Sequence, residues 1–167
     1  MYVGGGYWCY VPGDGVCSVK LSAITENKNM DQKATVEALF ESFNARSVDF
    51  LRSITHSKSR MTVDGGRSFI LGSESIVATV GASFLLIPDL RVKTVTLLSV
   101  GNVVMAEVVR EGMHTGELEL PDGTSIAPTH NQVFLPEVIV FRFENKTISL
   151  MSVYTDQLDT QKQLGLL

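Results

Sequence analysis

The hydrophobic pattern of this chain changes its period at Pro88. Upstream, Val36, Leu39, Phe40 and Phe43 fall at i, i+3, i+4 and i+7, a spacing that puts four apolar side chains on one helix face. The pattern predicts a helix from about Asp31 to Ala45. Ser47 reads as the N-cap of a short second helix, VDFLRSI, and RMTVDGG as a brief strand ending in a turn. Ser73, with Glu74 after it, opens a third helix, ESIVATVGASFLLI, which stops before Pro88 because a residue preceding proline is driven out of the helical region. Downstream, the apolar residues alternate. LRVKTVTLLSV, NVVMAEVVRE, THNQVFLPEVIVFRF and KTISLMSVY read as antiparallel-type strands between Gly-Asn, Pro-Asp-Gly and Glu-Asn-Lys turns. Helices followed by long strands make an α+β order. The expected architecture is three N-terminal helices on the concave face of one strongly curved, mainly antiparallel sheet, with room for a ligand between the layers.

A chain of 167 residues suits one domain that buries roughly 70% of its unfolded surface. The net charge of −4, with Lys and Arg scattered, argues against a nucleic-acid partner, which needs a clustered basic footprint. No stretch reaches the roughly 18 uncharged apolar residues that span a bilayer. The opening, MYVGGGYWCYVPGDG, lacks the basic and apolar regions of a secretory signal. A cytoplasmic protein with no membrane partner is expected. Residues 1–29 read as an appended hairpin with a polar linker, TENKN, and residues 30–167 as the compact domain. Cys9 and Cys17 flank the PGDG turn; a three-residue loop sets them opposite each other and a two-residue loop does not. In a cytoplasmic chain two ordinary thiols are expected, and no His/Cys cluster accompanies them to suggest a metal.

Several segments together carry a family resemblance: FLLIPDLRV, VVREGMHTGELELPDGT, FRFENKTISLMSVYTD and the closing QLG. The motifs inside them are Pro88-Asp89, Gly112-x-His114-x-Gly116, Pro121-x-Gly123, Tyr154-x-Asp156 and Gln163-Leu164-Gly165. In this order and spacing, residues 32–165 resemble the SnoaL-like polyketide cyclases of the nuclear-transport-factor-2-like superfamily, which also holds ketosteroid isomerases and limonene-epoxide hydrolases. The resemblance implies a cone-shaped, barrel-like α+β fold with a deep apolar pocket. It also implies acid/base chemistry on a small hydrophobic substrate, no metal or organic cofactor, and a homodimer through the outer sheet face. The segment from Ser125 to Pro136 is longer than usual for such proteins. The family's acid/base aspartate matches Val153 here, and its histidine on the preceding strand matches Ile139, so that catalytic pair does not carry over.

If Ile139 and Val153 mark the inner face, period two puts Leu135, Glu137, Phe141 and Met151 on it as well. Only Glu137 among these is charged. A lone carboxylate on an apolar face has a raised pKa and suits proton transfer; alternatively, Glu137 lies at the rim, in water, or Pro136 bulges the strand and turns it outward. Arg110 shares a face with Val104, Ala106 and Val108. It either pairs with Glu137, binds a substrate enolate or carboxylate, or is a solvated strand-end charge. His114, in a Gly-flanked turn, is a candidate proton shuttle or a plain hydrogen-bonding residue. The candidate catalytic residues are therefore Glu137 and His114, with Arg110, Ile139, Phe141, Met151 and Val153 as substrate-binding positions. Tyr154 and Asp156 face away from the inferred pocket, and Asp156 reads as the N-cap of a final helix. A non-catalytic module for a hydrophobic ligand is the alternative function.

Overall fold

The computed structural model describes residues 26–63, 66, 69–119, 123, 125–165 and 167. The hairpin expected near the N-terminus, Cys9 and Cys17 lie outside the described residues. The elements run α1 (Glu26–Asn44), α2 (Asp49–Ser53), β1 (Arg60–Thr62), β2 (Ile70–Leu71), α3 (Ser73–Leu86), β3 (Arg91–Val100), β4 (Val103–Met113), β5 (Leu118–Glu119), β6 (Ser125–Ile126), β7 (Gln132–Glu144), β8 (Thr147–Thr155) and α4 (Gln157–Gln163). Six strands form one sheet in the order β2-β1-β8-β7-β4-β3. Its pairings are antiparallel except β1 with β8, which run parallel. β5 and β6 make a separate small ribbon.

The α+β architecture stands, with corrections of detail. Four helices, not three, are present among the described residues, the fourth being the short C-terminal one. The sheet is curved but open, with β2 and β3 as its edges. α1 begins at Glu26, inside the stretch expected to be a linker, where the sequence carries no apolar period. At α2 the cap position is Val48 and makes no side-chain cap bond; the Ser47 hydroxyl instead accepts from the Asp49 N–H at 3.3 Å. Among the described residues, no helix is long and apolar enough to cross a membrane.

β7 organises the sheet. Its inward residues Val133, Leu135, Glu137, Ile139, Phe141 and Phe143 are all buried, so period two holds along its whole length. Register shifts interrupt the ladders between Arg142 and Phe143 and between Thr94 and Thr96; such bulges bend a sheet. Pro136 causes none, because its pairing with Val109 is in register. Two residues earlier, the Phe134 N–H donates to Gln163 Oε1 at 2.7 Å and the Phe134 carbonyl accepts from Gln163 Nε2 at 3.0 Å. β8 has already ended with Thr155 opposite Glu137, so a glutamine side chain continues the ladder. The N–H that Pro136 lacks belongs to that same edge of β7, beyond the last strand pair.

Two cores result. The larger packs α1, α2 and α3 on the sheet, with Phe40 meeting Phe141 edge to face at 6.1 Å between ring centres. The smaller gathers Ile87, Leu90, Val133, Leu135 and Leu164, with Phe43 and Leu86 packed against it. Beside the smaller core converge most of the motifs that carry the family resemblance. The Met113 N–H donates to Asp89 Oδ1 at 2.7 Å, and the Gly116 N–H to the Leu86 carbonyl at 2.9 Å. A Cβ on Gly116 would lie 1.5 Å from the Leu85 carbonyl oxygen, and one on Gly112 would lie 2.5 Å from Ile87 Cγ2. Both glycines are there because the end of β4 presses on the corner between α3 and β3.

Candidate functional site

The ladder between β4 and β7 sets Glu137 opposite Val108 and Arg110 opposite Leu135. Glu137 and Arg110 are thus diagonal neighbours on the inner face, a separation that long side chains bridge. Arg110 Nε donates to Glu137 Oε2 at 2.8 Å, and Arg110 Nη2 donates to Oε1. This is the side-on, two-bond geometry in which a guanidinium matches a carboxylate. The Glu137 side chain is only 1% exposed and that of Arg110 24%. Glu137 is therefore neither a lone carboxylate nor a rim residue: it is buried on the apolar face, and its partner reaches toward water. Arg110 Nη1 has no hydrogen-bond partner among the described residues.

A cavity of about 270 Å³ lies between the helices and the sheet. Its walls come from α1 (Leu39, Phe40, Phe43), α3 (Thr79, Val80, Ser83) and the sheet (Ile139, Phe141, Met151, Val153), and Arg110 and Glu137 line it too. Ile139 and Val153 are directly paired across β7 and β8, so these two positions form an aliphatic wall. Thr79 donates its hydroxyl proton to the Ser75 carbonyl at 2.9 Å, and Ser83 to the Val80 carbonyl at 2.6 Å. Both expose oxygen lone pairs more readily than protons.

A second cavity, about 190 Å³, shares Val63, Arg110, Glu137 and Val153 with the first and is otherwise lined by Thr155, Gln157, Thr160 and Gln161. The ion pair thus stands where an apolar chamber meets a polar one. α4 forms the polar wall. Its cap is Asp156, as the sequence predicts, with Asp156 Oδ1 accepting from the Asp159 N–H at 2.9 Å. Gln157 Nε2 donates to the Val63 carbonyl and ties α4 to the chain leaving β1. Tyr154 is exposed on the other side of the sheet.

Six of the seven residues picked from the sequence therefore line one cavity. His114 does not. It is fully buried, its Nδ1 lies 2.9 Å from Thr129 Oγ1, and its Nε2 has no partner among the described residues. The tautomer in which Nδ1–H donates to Thr129 costs least, because it leaves Nε2 a bare acceptor rather than an unmet donor. His114 lines neither chamber; through its backbone it bonds Asn131 and His130. Leu135 shares the inner face of β7 but belongs to the smaller core. Thr79 and Ser83 went unnoticed in the sequence, although their i, i+4 spacing beside Val80 signals one helix face. For Gln157, Thr160 and Gln161 a short polar helix offers no comparable signal. Among the described residues, no group of three His, Cys, Asp or Glu side chains converges as a metal site would require.

Structural comparison supports the same architecture. A SnoaL-like protein from Jannaschia sp. CCS1 superposes with a TM-score of 0.73 at 19% identity, over 90% of this chain and 99% of that one. AclR from Streptomyces galilaeus gives 0.70 at 16% identity, over 83% of each chain. An LEH-like epoxide hydrolase of M. tuberculosis gives 0.62 at 16% identity, over 83% of this chain and 92% of that one. At these identities the likeness is one of fold. A comparison with curated proteins gives no match. The sequence pattern of the SnoaL-like polyketide cyclases, however, runs through residues 33–164, nearly the whole described domain, and the chain belongs to that family.

Proposed function

We propose that this protein is a cofactor-independent enzyme, a cyclase, isomerase or hydrolase, that moves a proton on a small hydrophobic substrate held in the cavity between helices and sheet. The observation that carries this reading is a buried carboxylate, Glu137, lining an otherwise largely apolar cavity. A carboxylate has about four lone-pair directions. Arg110 occupies two, and the others remain to take a proton from a carbon acid or hydroxyl. Arg110, through its uncommitted Nη1, then faces the oxygen on which negative charge develops, the arrangement that lowers such barriers. Ile139, Phe141, Met151 and Val153 shape the substrate's surroundings and exclude water. His114 is assigned a supporting role, tying the Thr129–Asn131 segment to the end of β4. In the same reading the protein is a homodimer through its outer sheet face, where Leu98 and Met105 stand directly opposite each other and both are exposed.

Glu137→Gln tests the assignment, because it keeps the side chain's shape and one of the two acceptors for Arg110 while removing the base. Solvent-proton exchange at the α-carbon of a small apolar ketone, 2-tetralone, should fall by roughly 10²–10⁴ with binding retained. Exchange that survives the substitution removes Glu137 from the mechanism. The second reading, a non-catalytic binding module, is favoured by one observation: both Glu137 oxygens are engaged by Arg110 while Ile139 and Val153 supply no other acid or base. Ligand binding with no exchange above the buffer rate identifies it.

A further inference from the structure

From the junction of the two chambers we infer that the ligand is an amphipathic carboxylate: its apolar body fills the inner chamber and its carboxylate lies in the outer one, on Arg110. This rests on the cavity reading above and names the class of molecule the cavity takes. A guanidinium has five N–H donors along two forked edges. Glu137 uses the edge formed by Nε and Nη2, so the edge formed by Nη1 and the second N–H of Nη2 is free to grip another carboxylate in the same two-bond fashion.

Burial decides which partner an incoming anion meets. Glu137 is almost wholly enclosed, whereas Arg110 is a quarter exposed. Among the described residues that line the outer chamber, Arg110 and Glu137 are the only charged side chains. Thr155 and Gln161 also line it, and neither side chain shows a hydrogen bond among the described residues, leaving a hydroxyl and an amide to complete the head-group's shell. Gln157 and Thr160 already donate to the Val63 and Asp156 carbonyls. The inner chamber, which Arg110 and Glu137 also line, adds no free hydroxyl donor, since the protons of Thr79 and Ser83 are committed to α3 carbonyls. At about 30 Å³ for a water-sized group, its 270 Å³ takes roughly nine such groups: a medium-length chain or two fused rings.

The test is calorimetric titration at pH 7.5 with two matched pairs, 2-naphthoate against 2-naphthamide and octanoate against octan-1-ol. Each acid should bind at least about tenfold more tightly than its uncharged partner, the range of a charge-assisted hydrogen bond. In an Arg110→Gln/Glu137→Gln variant, which leaves no unpaired charge buried, the acid should fall to within twofold of the amide while the amide is unmoved. Arg110→Lys, which keeps the charge but loses the fork, should lose most of the acid's advantage and serves if the double variant does not fold. Equal binding of acid and amide to the unaltered protein overturns the head-group inference and leaves the cavity reading standing. If no member of either pair binds, the cavity reading falls with it.

Discussion

Arg110 and Glu137 sit on adjacent strands, one diagonal step apart, and meet through two hydrogen bonds at the point where an apolar chamber opens into a polar one. Breaking this pair from one side leaves a charge without its partner. Arg110→Ala is expected to destabilise by about 3 kcal/mol, somewhat less than a fully enclosed pair because water reaches the guanidinium. Replacing both members with Met and Leu should restore most of that loss. Urea unfolding of the single and double variants checks the pattern, and a double variant no better than the single contradicts it.

Glycines in this fold are not equivalent. Gly116→Ala drives a Cβ into the Leu85 carbonyl, which is backbone and cannot turn aside, so a loss beyond about 4 kcal/mol or failure to fold is expected. Gly81 lies inside α3 with nothing within 4 Å of an added Cβ. Gly81→Ala should therefore stabilise by about 0.5–1 kcal/mol, read as a rise of a few degrees in Tm.

α4 has no buried residue along Gln157–Gln163. Its attachment rests on the Asp156 cap, on Gln157 to Val63, and on the Gln163 amide against Phe134. Asp156→Ala should cost about 1 kcal/mol and Gln163→Ala about 1–3 kcal/mol, since the Phe134 backbone then loses both partners. Hydrogen exchange should quicken in α4 and at Phe134 and stay unchanged in β4. Uniform acceleration over the sheet contradicts a local role.

The proposed dimer makes the outer face of the sheet its interface. Leu98→Glu, which sets a charge opposite Met105, should turn a dimer into a monomer in analytical ultracentrifugation while leaving the far-ultraviolet circular dichroism unchanged. A wild-type chain that sediments as a monomer at 100 μM rules the interface out.

Much of this was legible in the sequence because the signals are periodic. The alternation of β7 is enough to put Glu137, Ile139 and Phe141 on one face, and the i, i+3, i+4, i+7 spacing finds the face of α1 that covers them. Register is not periodic. Nothing in the residues says that Val108 pairs with Glu137, and without that pairing Arg110 keeps three possible roles. β1 and β2, at three and two residues, are too short to show a period, although β1 supplies the only parallel pairing in the six-stranded sheet. The Gly-x-His-x-Gly motif drew attention to His114 as a possible shuttle; its glycines answer instead to the approach of Leu85 and Ile87, a tertiary contact invisible in one dimension.

In the proposed function the inner chamber, bounded by β7 and β8, takes an apolar molecule beside Glu137. Intermolecular nuclear Overhauser effects between 2-tetralone and a methyl-labelled sample test it most directly. Cross-peaks are expected to the methyl groups of Ile139, Met151 and Val153, and none to Leu98 or Val100 on the outer face. Contacts confined to Leu98 and Val100, or a titration that shifts no methyl signal of the inner face, would contradict it.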